Sequence, residues 1–292
     1  MLPPSLVDRL ERVLGRIESL LPEPEPQIDW AETAAARWQA NARGGHLAAV
    51  AVHSPPAIDD LLGVDRPKAA LLANTRQFAA GLPANHALLW GPRGTGKSTL
   101  VRAVVAAVGA GLRIVEVPRD ALFALPAILD RLAREERRFV LYCDDLAFEL
   151  GDPGYKALKS TLDGSVSGLP GNTILYATSN RRHLLPEPAS DNQGVQVTAT
   201  EIHFAEGVEE RLSLSERFGL WLAFHPFDQS AYLEIVRHWL AREGEPADDG
   251  VWRVEALRFA LEHGSRSGRT ARQFAWHWAG RRSLARATGK SS

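Results

Sequence analysis

The sequence predicts an α/β fold: a parallel five-stranded sheet flanked by helices, with an all-helical domain appended at its C-terminal end. Three observations carry that prediction. From residue 86 onward, short apolar runs alternate with helical stretches, as the crossover connections of a parallel sheet require. A glycine-rich turn joins the first of these runs directly to a helical stretch. Beyond residue 228, the apolar residues recur only at helical spacing.

The elements follow in chain order. Apolar residues at Leu6, Val7, Leu10, Val13, Leu14, Ile17, Leu20 and Leu21 predict an amphipathic helix, and Pro22, Pro24 and Pro26 then predict a stiff extended linker. A second helical piece is expected from Ala31 to Asn41, carrying Trp38 and ending at Gly44 and Gly45. Asp65, Arg66 and Pro67 open a helix that runs to about Ala80. Strands are expected at 86–90, 112–117, 138–144, 173–178 and 220–225, with helices near 97–108, 120–134 and 154–162. Pro126 should split the second of those helices. Residues 186–207 mix Pro, Gly, Asn and Asp without periodicity and read as a long loop, either a substrate-engaging element or a flexible connection. Asp228 is placed to cap a helix through Ala241, and two more helices follow near 250–262 and 268–280. Trp239, Trp252, Phe259, Phe274, Trp276 and Trp278 should form the core of this last part. The resulting partition is a helical arm and linker at 1–54, the sheet domain at 55–227 and a helical lid at 228–292.

Composition narrows the function classes. The 34 basic and 35 acidic residues nearly cancel, so no global cationic excess points to nucleic acid, although a local patch stays open. The basic stretch Arg281, Arg282 and Arg286 reads as a solvated helix end. The single cysteine, Cys143, lies in an apolar run, which excludes a disulfide framework and a cysteine metal site and predicts a buried thiol. No apolar run approaches the roughly 18 residues that span a bilayer. The N-terminal residues are unlike a signal peptide, so a cytoplasmic location without membrane contact is expected.

Residues Gly91, Pro92, Arg93, Gly94, Thr95, Gly96, Lys97 and Ser98 form a complete G-x-x-x-x-G-K-[ST] phosphate-binding loop, followed by Thr99. Its setting after an apolar run and before a helix is what the motif requires, and it marks a P-loop NTPase. The glycines let backbone N–H groups turn toward phosphate oxygens, and the helix N-terminus adds its dipole. Lys97 would reach the β- and γ-phosphates, while the Ser98 hydroxyl would ligate Mg²⁺. A second apolar run, residues 139–143, ends in Asp144 and Asp145, a Walker B pattern. Asp144 would hold Mg²⁺ and Asp145 would polarise the attacking water, with Glu149 as the alternative for that role. A third run ends at Asn180, whose amide can orient the water against the γ-phosphate. Arg217, just before the last strand, can reach a neighbouring subunit's nucleotide. Arg269, at the start of the last helix, can reach the phosphates of its own, with Arg272 as the alternate.

In that order along the chain, these motifs resemble those of the AAA+ ATPases: Walker A, Walker B, sensor 1 at Asn180, an arginine finger at Arg217 and sensor 2 at Arg269. The resemblance covers residues from about 55 to 282, and it implies that the segment Ile58 to Val64 lines the adenine pocket. More narrowly, residues 155–160, 177–186 and 214–221 resemble a bacterial predicted-ATPase family, domain of unknown function family 815. Two departures stand out, Asp145 where the superfamily has Glu and the long segment between Asn180 and Arg217. The resemblance implies an ATP- and Mg²⁺-dependent ATPase that forms a homo-oligomer and remodels a protein or nucleic-acid partner. The alternative is a nucleotide-gated loader or switch on DNA with little hydrolysis of its own.

Overall fold

The five expected strands form the centre of the molecule, and two unexpected ones extend it. The computed structural model describes residues 13, 27–41, 44–52, 56–149, 151–163, 169–182, 184, 214–245 and 250–288. Its sheet contains β1 (Ala35–Gln39), β2 (His46–Ala49), β3 (Ala87–Trp90), β4 (Leu112–Glu116), β5 (Arg138–Cys143), β6 (Thr173–Ser179) and β7 (Leu220–Ala223). The strand order is β2-β1-β4-β5-β6-β3-β7. Strands β4, β5, β6, β3 and β7 are mutually parallel, as expected. β1 adds to β4 in parallel, and β2 closes that edge antiparallel to β1.

The stretch from Ala31 to Asn41 is therefore not helical. Ala36 and Trp38 are buried while Arg37 and Gln39 are exposed, the period of two that a strand imposes. Trp38 packs inward with the Arg131 guanidinium 4.9 Å from its ring centre. Gly44 and Gly45, at φ 113° and 134°, take the chain round toward β2. A Cβ at Gly45 would lie 2.6 Å from the Gln39 carbonyl oxygen, so only glycine fits there. Part of the 1–54 region thus belongs to the sheet rather than to a helical arm. The helix expected over 6–21 lies outside the described residues except for Val13, which is helical, and so do the linker at 22–26 and the loop at 186–207.

Alternate residues of β5 serve opposite faces. Phe139, Leu141 and Cys143 pack with the 3-10 turn Arg119–Ala124, α3 (Leu125–Leu132) and α4 (Pro153–Leu162). Val140 and Tyr142 pack with α1 (Asp65–Ala79) and α2 (Lys97–Val108). A strand covered on both faces reads as a continuous apolar run, which is why β5 and β6 are conspicuous in the sequence. Pro126 sits in the first turn of α3, where its missing N–H costs nothing, and the 3-10 turn takes the preceding residues. Cys143 is fully buried, and burial pushes its thiol pKa up to about 12.

The lid consists of α5 (Gln229–Arg242), α6 (Val251–Glu262) and α7 (Gly268–Ala287). The Asp228 side chain caps α5 by accepting from the Ala231 N–H at 2.8 Å. Trp252 and Phe274 lie in the lid core, with Trp239, Phe259 and Trp278 packed partly buried against it. Trp276 departs from expectation: it is 50% exposed and points away from that core. The basic end of α7 is more than a solvated face. Arg282 and Arg286 both pair with Glu245, at 3.1 and 3.0 Å, and the Glu245 side chain is only 2% exposed.

Candidate nucleotide site

β3 delivers the chain into the phosphate-binding loop, and α2 begins at Lys97 directly after it. Two of the loop glycines are demanded by close approach. A Cβ at Gly91 (φ 140°) would lie 2.1 Å from the Phe224 carbonyl oxygen, and one at Gly94 (φ 78°) would lie 2.7 Å from the Ser267 side chain. The Thr95 hydroxyl steadies the turn by donating to the Pro92 carbonyl at 2.9 Å. Lys97 folds back under the loop, donating to the carbonyls of Gly91 (2.6 Å) and Pro92 (2.8 Å) and to Asn180 Oδ1 (3.1 Å). Burial lowers the pKa of its ammonium, against the pull of the Asp145 and Asp144 carboxylates.

The carboxylates emerge from the end of β5 beside this loop. Asp144 Oδ1 accepts from Ser98 Oγ at 2.7 Å and from Thr178 Oγ1 at 2.5 Å. Burial alone would raise the Asp144 pKa; the hydrogen bonds from Thr178 and Ser98, with the nearby Arg102 charge, outweigh it and leave it below its ordinary value. Asp145 adopts a left-handed backbone, φ 52°, uncommon for a residue with a side chain, and its N–H donates to Thr178 Oγ1 at 2.9 Å. The Asn180 amide donates to Asp145 Oδ1, and Arg93 Nη2 lies 3.4 Å from Asp145 Oδ2. Ser98 and Asp144 thus place two hard oxygen donors together at the mouth of the loop. That set fits Mg²⁺, which takes few protein ligands and keeps several waters.

The lid closes over the loop. The Gly268 N–H donates to the Gly94 carbonyl at 3.0 Å, so the N-terminus of α7 rests on the loop itself. Between lid and sheet lies a cleft of about 700 Å³. Lys97, Asp144, Asp145, Asn180, Arg269 and Arg272 all line it. Arg272 is stacked between Trp239 and Trp276, 4.6 Å from each ring centre. The segment before α1 divides its work. Leu61 lines the cleft, while Ile58 and Val64 pack against the sheet cluster. Asp60 meets the lid instead, bonding His238 at 2.9 Å and Arg242 at 2.5 Å.

Glu149 is exposed and is not among the residues lining the cleft, whereas Asp145 is. Arg217 is not in the cleft of its own chain. β7 runs parallel to β3 with Leu220 beside Ala87, so the residues before β7 lie at the end of the sheet opposite the phosphate-binding loop. There Arg217 Nε pairs with Asp163 at 2.7 Å and stays 46% exposed. The sequence reading missed Thr178, which links both aspartates, and Trp239 and Trp276 as walls of the cleft. Thr178 is legible in principle, because it stands two residues before Asn180 at the end of the same apolar run, and residues two apart in extended chain share a face.

The parallel order β4-β5-β6-β3-β7, the phosphate loop after β3, an interior strand of the sheet, and the three-helix lid define an AAA+ fold. Within that class, the chain belongs to the family described as "Protein of unknown function (DUF815)", whose model matches residues 31–282. The match begins before 55, so the β1–β2 hairpin lies within the family's shared region. Among solved structures, the chain is similar to a point mutant of RuvB from Thermotoga maritima, with TM-score 0.51 and 19% identity over 76% of this chain and 64% of that one. It is also similar to the ORC1 protein of Aeropyrum pernix in complex with DNA, with TM-score 0.53 and 17% identity over 79% of this chain and 66% of that one. The chain thus spans a little under two thirds of the length of each, and at this identity the likeness shows the fold. Comparison with curated proteins gives no match. No helix among the described residues is long and apolar enough to cross a membrane.

Proposed function

We propose that this protein is a Mg²⁺-dependent ATPase that works as a homo-oligomer and uses the nucleotide cycle to remodel a macromolecular partner. The observation that carries this reading is the continuous bonding of Lys97, Asn180 and Asp145 on one side of the loop mouth and of Ser98, Asp144 and Thr178 on the other. The loop N–H groups and the α2 N-terminus bind phosphate oxygens. Lys97 moves its contacts from the loop carbonyls to the β- and γ-phosphates. Mg²⁺ bound at Ser98 and Asp144 would neutralise phosphate charge and orient the γ-phosphoryl group.

Asn180 positions a water and Asp145 accepts its proton as the water oxygen bonds to the γ-phosphorus. The bond from that phosphorus to the bridging oxygen breaks, and the products are ADP and inorganic phosphate. Asp145 is one methylene shorter than the glutamate of the superfamily, so turnover is expected to be slow. Arg217 of a neighbouring copy supplies charge to the transition state, an effect worth about 10³–10⁵ in rate where it operates. Arg269 and Arg272 report the phosphates to the lid, whose α7 already rests on Gly94.

ATP turnover as a function of protein concentration, with wild type, Lys97→Ala and Arg217→Ala in parallel, tests the reading. Specific activity should rise with concentration and collapse in both variants. Activity independent of concentration and of Arg217 would remove the oligomer. ATP bound without turnover would replace the motor with a nucleotide-gated switch, the function of a loader acting on DNA.

A further inference from the structure

The P-loop carries a second cation that the reading above uses only for its backbone. Arg93 lines the cleft, and its charge is close enough to Lys97 to oppose that ammonium. Its guanidinium reaches across the loop mouth to Asp145 Oδ2 at 3.4 Å. The other oxygen of the same carboxylate, Oδ1, accepts from Asn180 Nδ2, and Asn180 Oδ1 in turn accepts from Lys97. The four side chains form a continuous chain of contacts, with both ends anchored in the phosphate loop and both oxygens of Asp145 engaged. Arg93 and Asp145 are 81% and 52% exposed, and an ion pair so open to water is weak and readily exchanged.

We propose that Arg93 is a catalytic contact for the γ-phosphate that leaves Asp145 when ATP enters, so that the nucleotide itself frees the carboxylate that receives the water proton. This rests on the cleft being a triphosphate site. The γ-phosphate carries more charge than one carboxylate and offers oxygens that match the guanidinium fork. ADP has no γ-phosphate, so with ADP Arg93 stays on Asp145. The pair is therefore a device that couples release of the base to the presence of the group to be cleaved. Its position explains why an arginine suits a loop position that the phosphate-binding motif leaves open.

The test is calorimetric titration of the full chain with Mg²⁺ and either ATPγS or ADP, on wild type, Arg93→Ala, Arg93→Lys, Asp145→Asn and the Arg93→Ala/Asp145→Asn double variant. Arg93→Ala should lower the ratio of ATPγS to ADP affinity about tenfold, the low end for a hydrogen bond to a charged group. Arg93→Lys should recover part of the ratio, because the charge returns without the fork. Asp145→Asn should tighten ATPγS binding, and most of that gain should vanish in the double variant. An unchanged ratio in Arg93→Ala would overturn the proposal, as would an equal gain from Asp145→Asn with and without Arg93. In those cases nucleotide binding by wild type and its loss in Lys97→Ala would leave the ATPase reading intact. Wild type that binds neither nucleotide would overturn both.

Discussion

The two walls of the cleft are built differently. On the sheet side, Lys97, Ser98, Asp144, Asp145, Thr178 and Asn180 are joined by hydrogen bonds into one network, and Lys97 is only 7% exposed. On the lid side, Arg269 and Arg272 are exposed, and Arg272 is held by stacking on two tryptophans. Among the described residues, the polar contacts that cross between sheet domain and lid include the Gly268 to Gly94 bond and the grip of Asp60 on His238 and Arg242. Phe227 packs against the cores of both the sheet domain and the lid, as a hinge residue would. A preorganised wall suits chemistry, because its donors need no rearrangement as charge develops. A wall held by stacking and a few bonds can rotate. On the proposed reading, phosphate chemistry would belong to the sheet wall and motion to the lid wall.

That contrast can be broken at several points. The largest effect is expected for Arg217→Ala, which belongs to neither wall of its own cleft. Turnover should fall about a thousandfold while the variant still binds ATP, since a transition-state cation acts on rate. Lys97→Ala should weaken nucleotide affinity about a hundredfold, near 3 kcal/mol, by equilibrium dialysis with ADP. Thr178→Val strips the hydroxyl shared by Asp144 and the Asp145 N–H. It should cost about 2 kcal/mol in urea unfolding of the sheet domain, because the partly buried Asp145 N–H and the Asp144 carboxylate both lose their partner. Trp276→Leu, on the lid wall, should cost under about 1 kcal/mol in the same assay, the range of an exposed cation–π contact. If Trp276→Leu destabilised the protein more than Thr178→Val, the two walls would not differ as described.

What the sequence revealed followed from how strictly each feature is constrained. The phosphate loop was legible because Gly91 and Gly94 have no room for a side chain, so their spacing is fixed. β5 and β6 were legible because both of their faces are covered. β1 was misread because Ala35 and Ala36 carry no period of their own, and the partner that decides the matter, β4, lies far along the chain. Trp276 was misplaced although the helix itself held the answer. Two residues advance about 200° around a helix, so Phe274 and Trp276 cannot share a face, whereas Phe274 and Trp278 can. The role of Arg282 and Arg286 was hidden for a different reason. They stand on one face of α7, but the carboxylate they hold, Glu245, follows another helix. Arg269 and Arg272 stayed undecided because residues three apart lie on the same side of a helix, and both do reach the cleft.

The central claim is that each nucleotide site is completed by a second copy of the chain, and a mixing experiment tests it most directly. On the proposed reading, Lys97→Ala keeps a sound Arg217 but binds ATP about a hundredfold more weakly, and Arg217→Ala binds ATP but offers its neighbour no finger. Each alone should be close to silent in ATP turnover. An equimolar mixture should regain a substantial share of wild-type activity, because some interfaces then pair a working loop with a working arginine. A mixture as silent as its components, under conditions where the two variants co-assemble, would contradict a shared site.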